Sequence, residues 1–501
     1  MRVLYKRLSL TRLRTLSSYC CRWGSSRSAD PHVAIVGSGP AGFYTAQQII
    51  KGHPTVRVDI YEKLPVPFGL VRFGVAPDHP EVKNCIHTFT QTAHRDRCSF
   101  IGNVQVGKDI KVADLQKAYT AVVLCHGSSN DRKLGIPGED LPNVLSARSF
   151  VGWYNGLPED VGLSVNLDCE TAIVLGHGNV ALDVARVLLT PIDILAKTDI
   201  SDYSMDALSK SRIKKVVLVG RRGPLQVAFT IKELREMITL PKCRTVIDLL
   251  TLSSLNENID GEETNTHTVT IENINELPRP RRRLTELLYN AAVNPPEKYT
   301  KIWNDATREW HLKFLRSPSE IVPTSSKEGP EAVKFIINML EGDDDPLRRK
   351  AVPTDETDVI PCGLVLRSIG YKGVPLDETV PFDTSRGVIP NKKGRVDGFP
   401  GLYCSGWIAE GPVFVLAGAM NNAFATGKVV LEDLGSSKLS SENKGGKDAV
   451  LSALQQKGVK TVTFTDWEKI DQAEILLGEK AGKPREKIVS IKEMIRVASS
   501  E

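Results

Sequence analysis

Apolar residues gather in short runs along this chain, and most of the runs stop at a glycine. Val33-Ala34-Ile35-Val36 meets Gly37-Ser38-Gly39-Pro40-Ala41-Gly42, Val56 to Tyr61 closes on Glu62, and Thr120 to Cys125 meets His126-Gly127. Such runs, bounded by glycine, predict buried parallel strands, with a helix opening at the first glycine turn. Phe100 to Val106 predicts a further strand of the same unit. The order then repeats. Thr171 to Leu175 meets Gly176-His177-Gly178-Asn179-Val180-Ala181 and a helical stretch from Leu182 to Leu189, and Val216 to Val219 meets Gly220-Arg221-Arg222-Gly223. Leu364 to Ile369 ends at Gly370. Gly401 to Trp407 leads through Gly411-Pro412 into Val413 to Leu431, which reads as a helix of small residues. The pattern is α/β with two Rossmann-like units, and the last strand and helix suggest a return to the first unit.

Each unit carries the chemistry of a dinucleotide site. In the first, Gly37 permits the turn, Gly39 lets the backbone approach a pyrophosphate, and Gly42 lets the helix pack closely, with Pro40 and Ala41 between them. The helix N-terminus then offers free N–H groups and a positive dipole end to the phosphates. Glu62, at the end of the next strand, suits an unphosphorylated ribose, hence FAD or NAD. In the second unit Ala181 replaces the third glycine, and Arg221 with Arg222 replaces the acid. Two guanidiniums there can grip a 2′-phosphate by forked hydrogen bonds, which predicts NADPH. A single G-x-G-x-x-G is a weak signal; two copies with opposite endings are far more specific. The second copy is stretched by a polar excursion from Thr190 to Arg212.

Other segments carry weaker signals. Pro65 to Pro80 is rich in Pro and Gly and follows the ribose acid, so it reads either as a loop beside an extended dinucleotide or as a structural Ω-loop. Thr230-Ile231-Lys232-Glu233 fits a capping box, which gives Glu233 a purely structural alternative role. Thr251 to Asn275 reads as a polar surface hairpin or loop. Pro278 to Leu288 is a basic knot opening a helix, either a solvated face or a docking spot for an acidic partner. Leu134 to Pro142 and Gly435 to Lys447 read as linkers, and the tail containing Trp467 as surface packing.

Charge changes the picture at the N-terminus. The chain has a formal net charge of +5. Arg2, Lys6, Arg7, Arg12, Arg14, Arg22 and Arg27 all precede the first acid, Asp30, and the Ser-, Thr- and Leu-rich residues 1–29 read as a mitochondrial or plastid targeting peptide, with a basic nucleic-acid-binding tail as the alternative. Without that segment the net charge falls to about −2, so an anionic partner must be met by a local patch. The cysteines form no C-x-x-C, which argues against a dithiol centre, a structural zinc site and a protein-held iron–sulfur cluster. No apolar run is long enough to span a membrane.

With these motifs in place, the chain resembles the mitochondrial NADPH:adrenodoxin oxidoreductase (ferredoxin reductase) family of twin-Rossmann flavoproteins. The resemblance runs from about Pro31 into the C-terminal region and includes Gly37 to Phe43, Tyr61 to Asn84, Phe150 to Pro158, Gly178 to Arg186, Leu218 to Met237, Pro278 to Leu288 and Gly401 to Trp407. It implies an FAD domain built from 30–138 and 365–501, with an NADPH domain, 139–364, inserted between. FAD contacts would include Gly37, Gly39, Pro40, Ala41, Gly42, Glu62, Leu70, Val106, Trp407, Gly411, Phe414, Val415 and Leu416. NADPH contacts would include Gly176, Gly178, Asn179, Val180, Arg221, Arg222 and Glu233. His79 and Asp183 resemble the family's polar pair between the two cofactors, and Arg279 and Arg283 its docking arginines for an acidic two-iron ferredoxin. The resemblance implies electron transfer from NADPH through FAD to that ferredoxin in the mitochondrial matrix, free or peripheral to the inner membrane, serving sterol hydroxylation or iron–sulfur assembly, with no nucleic-acid partner.

One stretch departs from the family pattern. After Trp407 the family has Lys-Arg and then a Gly-Pro-Thr-Gly-Val-Ile-like turn, whereas this chain has Ile408-Ala409-Glu410-Gly411-Pro412-Val413-Phe414-Val415-Leu416. Phe414 stands where the second glycine would, and its β-carbon would obstruct a backbone that must approach a flavin or adopt positive φ. The alternatives are an NADPH-dependent flavoprotein oxidase or monooxygenase, which shares both folds but needs no docking patch, and a non-catalytic nucleotide-binding regulator in which Phe414 closes the nicotinamide site.

Overall fold

The computed structural model describes residues 30–248, 271–342, 345–412, 416–436, 438–439, 442 and 444–500. Residues 1–29, expected to be a targeting peptide, most of the polar stretch from Thr251 and the departing residues Val413, Phe414 and Val415 lie outside the described residues.

Two mainly parallel sheets carry the chain. The first has seven strands in the order Asn391–Lys392, Arg395–Val396, Leu402–Cys404, Ala121–Leu124, His32–Val36, Arg57–Tyr61 and Cys98–Ile101. Its register sets Ile35 beside both Ile60 and Val123, and Val123 beside Tyr403. His32–Val36 is followed in space by Arg57–Tyr61 on one side and by Ala121–Leu124 on the other, so the strand order reverses beside it. A crevice opens beyond the strand ends at such a switch point. The expected strand from Phe100 to Val106 stops at Ile101, because Gly102 bridges to Val462 and Asn103 turns the chain at φ +60°.

The second sheet has six strands, ordered Val144–Ser146, Leu364–Arg367, Thr171–Leu175, Lys215–Val219, Arg308–Lys313 and Cys243–Ile247. Leu364–Arg367 belongs to this sheet, a little beyond the boundary expected at 364, so the chain crosses back only after Arg367. The two crossings pair with each other, Asn130–Asp131 against Tyr371–Lys372. Arg367 locks them by donating to Glu139 Oε1 at 2.7 Å. A three-stranded antiparallel sheet, Arg316–Pro323, Pro330–Glu341 and Lys350–Pro361, extends the second unit.

Helix Pro40–Gly52 buries Phe43, Ala46, Ile49 and Ile50 against the first sheet, and Leu416–Gly435 crosses it closely. A β-carbon at Gly427 would lie 2.8 Å from Gln48 Cβ, so small residues set that approach. The C-terminal tail is core, not surface dressing: Trp467 is only 3% exposed and its ring meets that of Phe68 at 5.9 Å. The excursion from Thr190 to Arg212 forms two short helices, Ile192–Leu195 and Asp202–Ser209, and Ile271–Glu276 is helical where a loop was expected. All seven described cysteines are free, and five of them are buried.

Candidate functional site

The two glycine turns share one geometry. Gly37 sits at φ +106°, and a β-carbon there would come within 2.5 Å of Cys125 O; one at Gly42 would come within 2.0 Å of Gly37 O. Gly39, between them, is different, for a β-carbon there would meet nothing within 4 Å. Gly176 at φ +138° would collide with Ser368 O at 2.1 Å, whereas Gly178 faces open space as Gly39 does. Gly39 and Gly178 are the N-caps of Pro40–Gly52 and Asn179–Leu189, and neither caps its helix with a side chain. Two helix ends therefore point unsatisfied N–H groups into open crevices, which fits two phosphate-bearing ligands.

Around the first turn, Glu62 Oε2 accepts hydrogen bonds from Ser38 N and Oγ at 3.0 and 2.7 Å, which fixes the carboxylate beside the turn. Gly69 lies over Gly39, 3.2 Å from its Cα by the reach of a β-carbon, and opens the short helix Leu70–Phe73 inside the long loop. Leu70 is 37% exposed at that edge. Trp407 is half-buried, its ring 5.1 Å from that of Tyr371, and Gly406 backs onto Ala41. Gly411 turns the chain at φ +87° and Leu416 starts the next helix. Val106 is buried in the core cluster with Ile110, Val112 and Val380, so only its main chain is free to meet a ligand.

Around the second turn, Asn179 Oδ1 accepts from Thr230 N at 2.8 Å, and Val180 is half-buried on the helix face. Arg221 and Arg222 are exposed, with no carboxylate in ion-pair range among the described residues. Desolvation and the Arg221 charge both lower the Arg222 pKa, and desolvation and Arg222 lower that of Arg281. Arg281, which the sequence grouped with the docking knot, instead donates to Val227 O at 2.8 Å and faces this turn. Arg279 and Arg283, on the same helix Arg279–Val293, stay exposed. An uncompensated cluster of guanidiniums fits a phosphate better than any neutral group.

Between the turns the two units meet through charge. Arg186, 3% exposed, donates to Asp78 Oδ2 at 2.6 Å, to Asp183 Oδ1 at 2.6 Å and to Glu233 Oε2 at 3.2 Å. His79 Nε2 lies 2.8 Å from Glu236 Oε2, while its Nδ1 faces Arg186 Nη2 at 3.4 Å. Arg186 only donates, so this arrangement fits an imidazole with its proton on Nε2. Glu81 and Lys232 add a pair at 2.6 Å. The structure thus brings His79, Asp183 and Glu233 together, and adds Asp78, Arg186 and Glu236, which the sequence reading missed. The spacing of Lys232, Glu233 and Glu236 on helix Ile231–Ile238 was the available signal.

Glu233 does not complete the expected capping box. Thr230 Oγ1 does accept from Glu233 N, but the Glu233 carboxylate turns to Arg186 rather than back to the cap. Burial, with help from Asp183, pushes the Glu233 carboxyl up to about 7, and burial also raises Asp183. For Asp78 the hydrogen bonds and charge of Arg186 outweigh burial and hold its carboxyl below the usual range. The cluster can therefore hold a proton near neutral pH. Tyr154, fully buried within the field of Asp183, leaves its hydroxyl without a partner among the described residues.

Two sheets, two phosphate-ready helix ends and a titratable seam between them define a nucleotide-binding oxidoreductase of the twin-Rossmann class. Residues 35–99 match the family model of the NAD(P)-binding Rossmann-like domain. The chain is 52% identical over 478 residues to the human mitochondrial NADPH:adrenodoxin oxidoreductase, covering 95% of this chain and 94% of the human one. It is 42% identical to the Arabidopsis thaliana protein of the same name, covering 96% and 98%. The solved structure of Mycobacterium tuberculosis FprA in complex with NADPH superposes with a TM-score of 0.84 at 38% identity, covering 94% of this chain and 100% of FprA. The chain belongs to the mitochondrial NADPH:adrenodoxin oxidoreductase family. Among the described residues no helix is long and apolar enough to cross a membrane.

Proposed function

We propose that this mitochondrial flavoprotein passes electrons from NADPH through FAD to an acidic two-iron ferredoxin in the matrix. The observation that carries the reading is the pairing of an acid-ended glycine turn with an arginine-ended one across a single charged seam. The first unit, 30–138 with most of 365–501, would hold FAD. Gly37, Gly39, Pro40, Ala41 and Gly42 would hold its pyrophosphate, Glu62 its ribose, and Leu70, the Val106 main chain, Trp407, Gly411 and Leu416 its remaining length. The inserted unit would hold NADPH, with Gly176, Gly178, Asn179 and Val180 at the pyrophosphate, Arg221 and Arg222 at the 2′-phosphate, and Glu233 nearer the seam. The open space at Gly39 and Gly178 and the unpartnered Tyr154 hydroxyl support that fit.

Bound FAD supplies acceptance of a hydride and release of its electrons singly, which a pair donor and a one-electron iron–sulfur acceptor require. The chain's own residues orient and insulate. Arg186 ties the helix bearing Asp183 to the loop bearing Asp78 and His79, so the two nucleotide sites are held in one frame. Asp183 with Glu233 holds a proton at the seam, and the contact between His79 Nε2 and Glu236 fixes the imidazole beside it. Arg279 and Arg283, exposed on a chain near neutrality, would dock the acidic partner by long-range attraction. Anaerobic turnover tests the reading: two ferredoxins reduced per NADPH consumed supports it. NADPH consumption that occurs only with oxygen and yields peroxide refutes it in favour of an oxidase.

A further inference from the structure

A group of buried and half-buried charges lies away from the seam, where the C-terminal segment meets the second unit. Glu474, on helix Phe464–Lys480, is fully buried; it accepts from Arg72 Nη2 at 2.5 Å, from Ile488 N at 2.9 Å and from Arg485 Nη1 at 3.2 Å. Arg72 belongs to the first unit's long loop and lies over the Trp467 ring at 5.0 Å. Further along the same segment, Lys487, whose side chain is 1% exposed, donates to Asp199 O at 2.9 Å and pairs with Asp199 Oδ2 at 3.1 Å. Asp199 lies in the second unit, on the excursion that follows the helix bearing Asp183 and Arg186. Its carboxylate also accepts two hydrogen bonds, at 2.7 and 2.8 Å, from Lys83, four residues past His79 in the first unit. Lys483, buried beside it, donates to Ile200 O at 2.8 Å and pairs with Asp202 and Glu486.

We infer that the segment from Glu474 to Lys487 is a strut between the cofactor-bearing units, with Lys487, Asp199 and Lys83 as positioning residues for hydride transfer. The inference rests on the reading of function given above. Apolar packing fills space but can slide, whereas a carboxylate gripped by two ammoniums and a carbonyl held by one of them fix a single register. That register costs something: burial pushes Lys487 down to about 8, while the two ammoniums outweigh burial at Asp199 and hold its carboxyl below the usual range. None of the three residues reaches a glycine turn or the seam, so their effect on chemistry must run through distance. The strut and the Asp78–Arg186 pair grip the same stretch of the first unit, from Asp78 to Lys83, at its two ends.

The test compares the holoprotein with Lys487→Met and Lys83→Met, and with Arg496→Ala in the exposed pair with Glu493 as a control. FAD content, NADP⁺ affinity, the flavin-bleaching rate at saturating NADPH and the long-wavelength absorbance of nicotinamide stacked on flavin are measured. The expected result is bleaching slowed roughly tenfold or more with the stacking absorbance reduced, since a displacement of about 1 Å can cost that much. FAD content and NADP⁺ affinity should stay within about twofold, as should everything for Arg496→Ala. Bleaching within about twofold of wild type in both lysine variants overturns the strut. Should Lys487→Met lose FAD, Lys83→Met decides alone, because it leaves Asp199 paired with Lys487. A wild type that NADPH fails to bleach overturns the underlying reading, and the strut with it; normal wild-type bleaching with unaffected variants overturns the strut alone.

Discussion

Truncating both guanidiniums, Arg221→Ala with Arg222→Ala, should convert an NADPH-selective protein into one that scarcely distinguishes NADPH from NADH. The main chain of the turn is held without these side chains: Asn338 Nδ2 donates to Arg221 O at 2.9 Å, and Leu315 N donates to Arg222 O at 3.2 Å. The substitution therefore removes charge and forked donors and leaves the turn in place. A hydrogen bond to a charged group contributes about 1.5–3 kcal/mol. Both arginines are exposed, so solvent and salt screening favour the lower figure for each, ~3 kcal/mol together. That corresponds to roughly a hundredfold loss in NADPH affinity. NADH lacks the 2′-phosphate, so its affinity should change by less than about threefold, and it should gain slightly if anything from the loss of an unpaired cation pair. Anaerobic titration with each nucleotide gives both constants, and repeating it at high salt should shrink the wild-type preference. A parallel loss for the two nucleotides would show that the pair supports the turn rather than a phosphate.

Arg279→Glu with Arg283→Glu should slow ferredoxin reduction at least about tenfold at low salt while sparing ferricyanide reduction; steady-state rates with both acceptors check this, and equal losses contradict a docking role. Gly39→Val adds a side chain into open space, so it should leave the melting temperature nearly unchanged and lower bound flavin, whereas Gly37→Val, at positive φ and 2.5 Å from Cys125 O, should yield little folded protein. Flavin absorbance per folded chain distinguishes them. The Glu233 carboxyl, raised to about 7, binds more protons folded than unfolded between about pH 4.5 and 7, so its contribution to stability falls as pH rises through that window. Glu233→Gln should match wild type in melting temperature near pH 4.5 and exceed it near pH 8; a gap that does not grow with pH refutes the assignment.

The fold was legible where local chemistry dictates it. Gly37, Gly42 and Gly176 are placed by backbone sterics that a sequence motif encodes directly, and the alternation of apolar runs with glycine turns announces parallel strands. What escaped depends on contacts distant in sequence. Phe100 to Val106 reads as one strand, but Val462 captures Gly102 and ends it. The tail around Trp467 reads as a surface appendage because nothing local reveals that Phe68 and Arg72 lie beneath it. Arg186 sits on an apolar helix face and draws its meaning only from Asp78, far back in the chain. Arg281 looked like one more charge in a basic run, and only the helix direction separates it from Arg279 and Arg283.

The most direct test of the account is an anaerobic titration of the holoprotein with NADPH, and separately with NADH, followed by visible absorbance. Near-stoichiometric NADPH should bleach the flavin band, and NADH should do so far more weakly. A flavin spectrum that neither nucleotide bleaches would contradict this and leave a protein that binds nucleotides without joining them.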